Sequence, residues 1–103
     1  MKKLVEIKKT GISEKVIEEI CRLAVRYNIS RIRLFGSRAR GDFYKTSDID
    51  LAAEGGNIAE FSIDVDEDTS TLLKYDIVNL DTYVQPELRD AIEKEGIVIY
   101  EKI

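Results

Sequence analysis

Residues 36–50 run Gly36-Ser37-Arg38-Ala39-Arg40-Gly41-Asp42-Phe43-Tyr44-Lys45-Thr46-Ser47-Asp48-Ile49-Asp50, and they sit directly behind the alternating run Arg31-Ile32-Arg33-Leu34-Phe35. Alternation of this kind predicts a half-buried strand, which Gly36 ends. A second strand is predicted from Asp48 to Glu54, with Ile49 and Leu51 on one face and Asp48 and Asp50 on the other. The stretch therefore predicts a strand, a Gly-Ser turn and a strand that opens with two aspartates on one side.

Working outward, Ser13 is a favourable N-cap, and Val16, Ile17, Ile20, Cys21, Ala24 and Tyr27 recur at helical spacing up to Asn28. Gly55-Gly56 predicts a turn. Residues 57–72 predict a helix with Ile58, Phe61, Val65 and Leu72 inward, although Ser62, Thr69, Ser70 and Thr71 are poor helix formers. Tyr75 to Leu80 predicts a third strand. Pro86 suits the first turn of a last helix, Gly96 its end, and Ile97-Val98-Ile99-Tyr100 a closing strand. Residues 4–8 suit an edge strand or a partner contact. The expected fold class is α/β (α+β), a small mixed sheet with helices packed on it, and residues 1–103 are expected to form one domain.

Composition narrows the chemistry. The chain has no histidine and one cysteine, Cys21. This excludes Ser-His-Asp and Cys-His catalysis and an intramolecular disulfide, and it argues against a zinc site. No apolar stretch is long enough to span a bilayer and the N-terminus lacks a signal-peptide core, so a cytoplasmic location and no membrane partner are expected. Residues 31–45 carry five cations against Asp42 alone, whereas residues 54–76 carry seven acids against Lys74. A basic strip on an acidic body suits a local anion site better than direct nucleic-acid binding. Arg40-Gly41-Asp42 resembles an adhesion tripeptide, a reading that conflicts with the expected cytoplasmic location.

Aspartates two apart on a strand project to the same face and can share a divalent cation such as Mg²⁺, which takes oxygen ligands and substrate phosphates together. An isolated D-x-D is common and is more often a pair of exposed strand residues. Asp76 strengthens the signal: it opens the third strand in an apolar context and, if that strand lies beside the second, joins Asp48 and Asp50. Three like charges are mutually destabilising unless a cation joins them. Gly36-Ser37 adds a turn whose N–H groups can cradle an anion, with the Ser37 hydroxyl donating to phosphate and Arg38 and Arg40 neutralising charge. Half of the stretch thus suits phosphate and half suits a metal, a combination that points to chemistry on a nucleoside triphosphate.

Taken together, Leu34-Phe35-Gly36-Ser37-Arg38-Ala39-Arg40-Gly41, Ser47-Asp48-Ile49-Asp50-Leu51 and Tyr75-Asp76-Ile77-Val78 resemble the minimal nucleotidyltransferase (MNT) family of the DNA polymerase β-like superfamily. The resemblance extends over nearly the whole chain, and its clearest departure is the Asp/Ser/Thr-rich stretch 62–71. It implies a polymerase β-like nucleotidyltransferase fold, with the triphosphate at Gly36 and Ser37 and two Mg²⁺ ions on Asp48, Asp50 and Asp76. Asp76 would also be the general base. The resemblance further implies AMP transfer from ATP to a tyrosine of a HEPN-type ribonuclease toxin, with this chain as the antitoxin. The chain has no room for an acceptor-binding domain, so a homo- or hetero-oligomer is expected to supply the acceptor. Two other functions fit the same residues: an antitoxin acting by occlusion, and a small-molecule nucleotidyltransferase with a separate acceptor-binding subunit.

Overall fold

A computed structural model describes residues 9–103. Helix α1 spans Glu14–Arg26, β1 Arg31–Phe35, α2 Ser37–Arg40, β2 Ile49–Glu54, α3 Ile58–Asp68, β3 Tyr75–Asn79, α4 Pro86–Glu95 and β4 Ile97–Glu101. The sheet order is β3-β2-β1-β4, with β1 antiparallel to β2 and to β4 and β2 parallel to β3. This is the expected small mixed sheet with helices packed on it. The proposed edge strand at residues 4–8 lies outside the described residues. No described helix is long and apolar enough to cross a membrane.

The Ser13 side chain accepts a hydrogen bond from the Val16 N–H and fixes where α1 starts. The helix then buries Val16, Ile17, Ile20, Leu23 and Ala24 against one sheet face, where they meet Ile32 and Leu34 of β1 and Ile49, Leu51 and Ala53 of β2. Ile58, Phe61 and Val65 of α3 complete that layer. Each such isoleucine or phenylalanine stabilises the fold by about 2 kcal/mol through burial, and truncating Ile20 to alanine would cost about 2–5 kcal/mol. On the opposite face Ile92 of α4 packs on Phe35 and Ala52. Asp50 is two residues before Ala52, so it shares this second face and stands half-buried at the sheet's edge.

The helix expected over 57–72 is shorter than its apolar period suggests. It ends at Asp68, and Thr69 adopts an extended backbone with its hydroxyl donating back to the Val65 carbonyl at 2.7 Å. The Ser70 N–H and hydroxyl both donate to the Glu19 carboxylate at 2.7 Å, which draws the chain away from the helix axis. Leu72, expected inward, is instead fully exposed at 103%.

Candidate active site

The strand directions bring the decisive residues to one edge of the sheet. β1 ends at Phe35, which pairs with Asp50 near the start of β2, and Asp50 pairs with Asp76 near the start of β3. Gly36 follows Phe35, so the order across this edge is Gly36-Ser37, then Asp50 with Asp48 just ahead of it, then Asp76. Neighbouring strands lie about 4.8 Å apart, which sets the scale of the Asp50–Asp76 approach. The third strand does lie beside the second, as the three-aspartate reading required.

Gly36 has φ +75°, a conformation that L side chains rarely adopt. A Cβ there would also overlap the Asp50 carboxylate. The Gly-Ser turn and the aspartate face are therefore in direct van der Waals contact. α2 begins at Ser37 on this turn, and the Ala39 and Arg40 N–H groups donate to the Gly36 carbonyl at 3.1 and 3.0 Å. As at any helix start, the N–H groups of Ser37 and Arg38 have no acceptor within the helix.

Burial pushes the Asp50 carboxyl above its ordinary range, and the charges of Asp76 and Asp48 push it further, against smaller opposing effects of Arg40 and Arg38. The three carboxylates are thus close enough to repel. Among the described residues, however, no three acidic, cysteine or histidine side chains are already gathered as a metal cage. The expected three-carboxylate cluster is accordingly a shared field at one edge rather than a preassembled cage. A field of this kind suits a magnesium ion, which keeps several waters and uses one or two carboxylates together with substrate phosphates.

The two arginines of α2 differ from expectation. Arg38 is only 2% exposed. Its Nε donates to the Ser47 carbonyl at 3.1 Å, Nη1 to Thr10 at 2.9 Å, and Nη2 to Lys45 at 3.1 Å and Tyr44 at 3.4 Å. Its guanidinium also lies over the Phe43 ring, 4.7 Å from the centroid. With its donors committed to backbone carbonyls, Arg38 holds the 43–48 loop in place and is not placed to neutralise phosphate. That role is a correction to the sequence reading. Its sequence signal was faint, because carbonyls of a loop leave no residue signature. Arg40 is exposed and bridges Asp42 at 3.3 Å and Glu95 at 3.1 Å. Farther along the basic strip, Arg31 sits between Glu54 and Glu101. Two of the strip's five cations, Arg31 and Arg40, are therefore paired with carboxylates. A cleft of about 550 Å³ lies against α2 and is lined by Lys9, Arg38, Arg40, Lys94 and Glu95 among others, but none of the three aspartates lines it.

Comparisons with known proteins identify relatives of the chain and of its fold. A Methanocaldococcus jannaschii protein, provisionally named a protein adenylyltransferase, is 41% identical over 68 residues, which cover 63% of this chain and 66% of that one, just short of two thirds of its length. A solved minimal nucleotidyltransferase, also provisionally named, superposes with a TM-score of 0.60 at 29% identity over 79% of this chain and 86% of its own. A toxin–antitoxin structure with AMP-PNP shares the fold, with a TM-score of 0.63 at 24% identity over 84% of this chain and 73% of that one. Residues 15–103, nearly the whole chain, match the polymerase β nucleotidyltransferase family, and this chain belongs to it.

Proposed function

We propose that this chain is a Mg²⁺-dependent adenylyltransferase that moves AMP from ATP to a tyrosine hydroxyl of a HEPN-type toxin partner, and so acts as its antitoxin. The observation that carries the reading is the register Gly36–Asp50–Asp76, which sets an anion-accepting turn against carboxylates at one sheet edge. The named relatives support it: one carries an adenylyltransferase name, and another is a toxin–antitoxin structure with a nucleotide analogue.

In this reading the N–H groups and hydroxyl of the Gly36-Ser37 turn hold the triphosphate, and Arg40 can exchange its exposed carboxylate partners for phosphate oxygens. Asp48, Asp50 and Asp76 are the oxygen donors that would hold magnesium, and they fit it by chemistry and by their mutual repulsion. Bound magnesium supplies charge neutralisation at the α-phosphate and the leaving pyrophosphate. Asp76, exposed at the outer side of the edge, accepts the phenolic proton. Arg38 keeps Asp48 at its station by holding the loop before it. The rest of the contribution is positioning and fixed electrostatics.

Co-expression with a HEPN-type protein as candidate partner, followed by intact-mass spectrometry, tests the proposal. One adenylate mass increment on the partner is expected with ATP and Mg²⁺, and none with EDTA or with Asp48→Asn or Asp50→Asn. A stable complex without any adenylate would replace this reading with inhibition by occlusion. Transfer to a small molecule and not to the partner would point to the antibiotic-type alternative.

A further inference from the structure

Building on that reading, we propose that the cleft on the β3 side of Asp48, walled by Thr46, Leu72, Leu73 and Lys74, seats the acceptor tyrosine, with Leu72 as its apolar anchor. The cleft has a volume of about 450 Å³ and includes Asp48 in its lining. Leu72 is fully exposed at 103%, while the segment that carries it is held at four of its residues, Thr69, Ser70, Leu73 and Lys74. The Thr69 hydroxyl bonds the Tyr75 hydroxyl at 2.8 Å, Ser70 is held twice by Glu19, the Leu73 N–H donates to the Thr71 hydroxyl at 3.1 Å, and the Ile49 N–H donates to the Lys74 carbonyl at 2.8 Å. Leu73 packs partly against the main core. A large apolar side chain held out on a fixed segment is a presented surface rather than the by-product of a loose loop.

Reaction geometry assigns the occupant. In an in-line displacement the attacking oxygen and the leaving pyrophosphate lie on opposite sides of the α-phosphorus. The phosphate turn at Gly36-Ser37 is on the β1 side of the aspartates, so the attacking oxygen must enter from the β3 side, where Asp76 and this cleft are found. The tyrosine oxygen forms a bond to the α-phosphorus, the bond from that phosphorus to the oxygen bridging to the β-phosphate breaks, pyrophosphate departs, and the phenolic proton passes to Asp76. Three carboxylates at the edge disfavour an anionic acceptor and accept a neutral hydroxyl. Two leucines beside that entry match the face of an aromatic ring better than they match a serine or a sugar.

The test uses the full chain and, as acceptor, the unmodified partner polypeptide that becomes adenylated in the co-expression experiment. Leu72→Asp is expected to keep the wild-type melting temperature and the wild-type affinity for Mg-ATP by calorimetry. It should lower kcat/KM for adenylate transfer at least tenfold, mainly through KM for the partner, and Leu72→Met should restore most of it. Tyr83→Asp, a change at another exposed side chain outside the cleft, should leave all three measurements unaltered. Unchanged transfer in Leu72→Asp overturns the assignment. Weakened Mg-ATP binding in that variant overturns it too, and gives the cleft to the nucleotide. If the wild type binds Mg-ATP and adenylates no partner tyrosine, the adenylyltransferase reading itself fails, a result distinct from either.

Discussion

The two flanks of the aspartate edge are built by opposite means. Ahead of β2, the 43–48 loop is organised around one buried cation that donates to four carbonyls and stacks on Phe43. Ahead of β3, residues 69–74 are held by part-buried hydroxyl bonds and by the exposed bonds of Ser70 to Glu19, and present a bare leucine. The contrast teaches which flank has no freedom to vary. The loop held by Arg38 is tied to the buried Thr10 carbonyl, whereas exposed ties such as those of Ser70 to Glu19 cost little to change.

The largest expected effect comes from breaking the first flank. Arg38→Ala leaves the buried Thr10 carbonyl and three partly buried loop carbonyls without their donor, and each buried loss costs about 1–3 kcal/mol before relaxation or water recovers part of it. A net loss of about 3 kcal/mol is expected, on the order of 15 °C in Tm for a domain of this size. Denaturant unfolding measures it. Arg38→Ala within about 0.5 kcal/mol of wild type would mean that the loop is held by something else, and the contrast between flanks would collapse.

A smaller effect, of opposite sign, is expected at the centre. Asp50→Asn should raise the Tm of the protein in EDTA while abolishing AMP transfer. Asp50 is partly solvated, so screening leaves about 0.5 kcal/mol, a rise on the order of 3 °C. The sign follows from linkage: the folded carboxyl holds its proton more tightly than the unfolded one, so stability falls as pH rises through the raised range. The advantage of the asparagine should therefore be full at pH 7 and vanish below the ordinary carboxylate range. A lower Tm for Asp50→Asn in EDTA at pH 7 would show that the carboxylate is held by structural partners.

The smallest effect probes the second flank. Glu19→Ala removes the acceptor of both Ser70 bonds, and the melting temperature should barely move while amide exchange at Ser70 quickens. The same release is expected in the wild type at acid pH. Hydrogen bonds from Ser70 hold the Glu19 carboxyl below its ordinary range, so the tie persists above that range and is lost as pH falls through the lowered value. Amide exchange at Ser70 that is insensitive to both changes would show that the flank does not depend on Glu19.

The sequence disclosed what depends on period and position. Ile49 and Leu51 alternate with Asp48 and Asp50, and that alternation predicts the aspartates on one face; β2 begins at Ile49, with Asp48 just ahead of it. Asp76 needed only the premise that β3 lies beside β2. Contacts between distant polar groups were hidden. Arg38, one residue after Ser37, has the composition of a phosphate ligand, and only the fold shows that loop carbonyls reach it first. Leu72 stood at a helical interval from Val65, but Thr69 and Ser70 stop the helix by bonding Val65 and Glu19, an event that hydrophobic spacing does not register.

The Asp50–Asp76 register has one more consequence. Both aspartates project from adjacent parallel strands in hydrogen-bonded register, so the gap between their Cα atoms is a property of the sheet and not of any loop. The connection from β2 to β3 runs through α3 and the 69–74 segment, which rejoins the sheet where the Lys74 carbonyl accepts from the Ile49 N–H. Insertions or exchanges in the connection can therefore reshape what the protein embraces while the distance across which it works stays constant, like interchangeable jaws on a vice with a fixed screw.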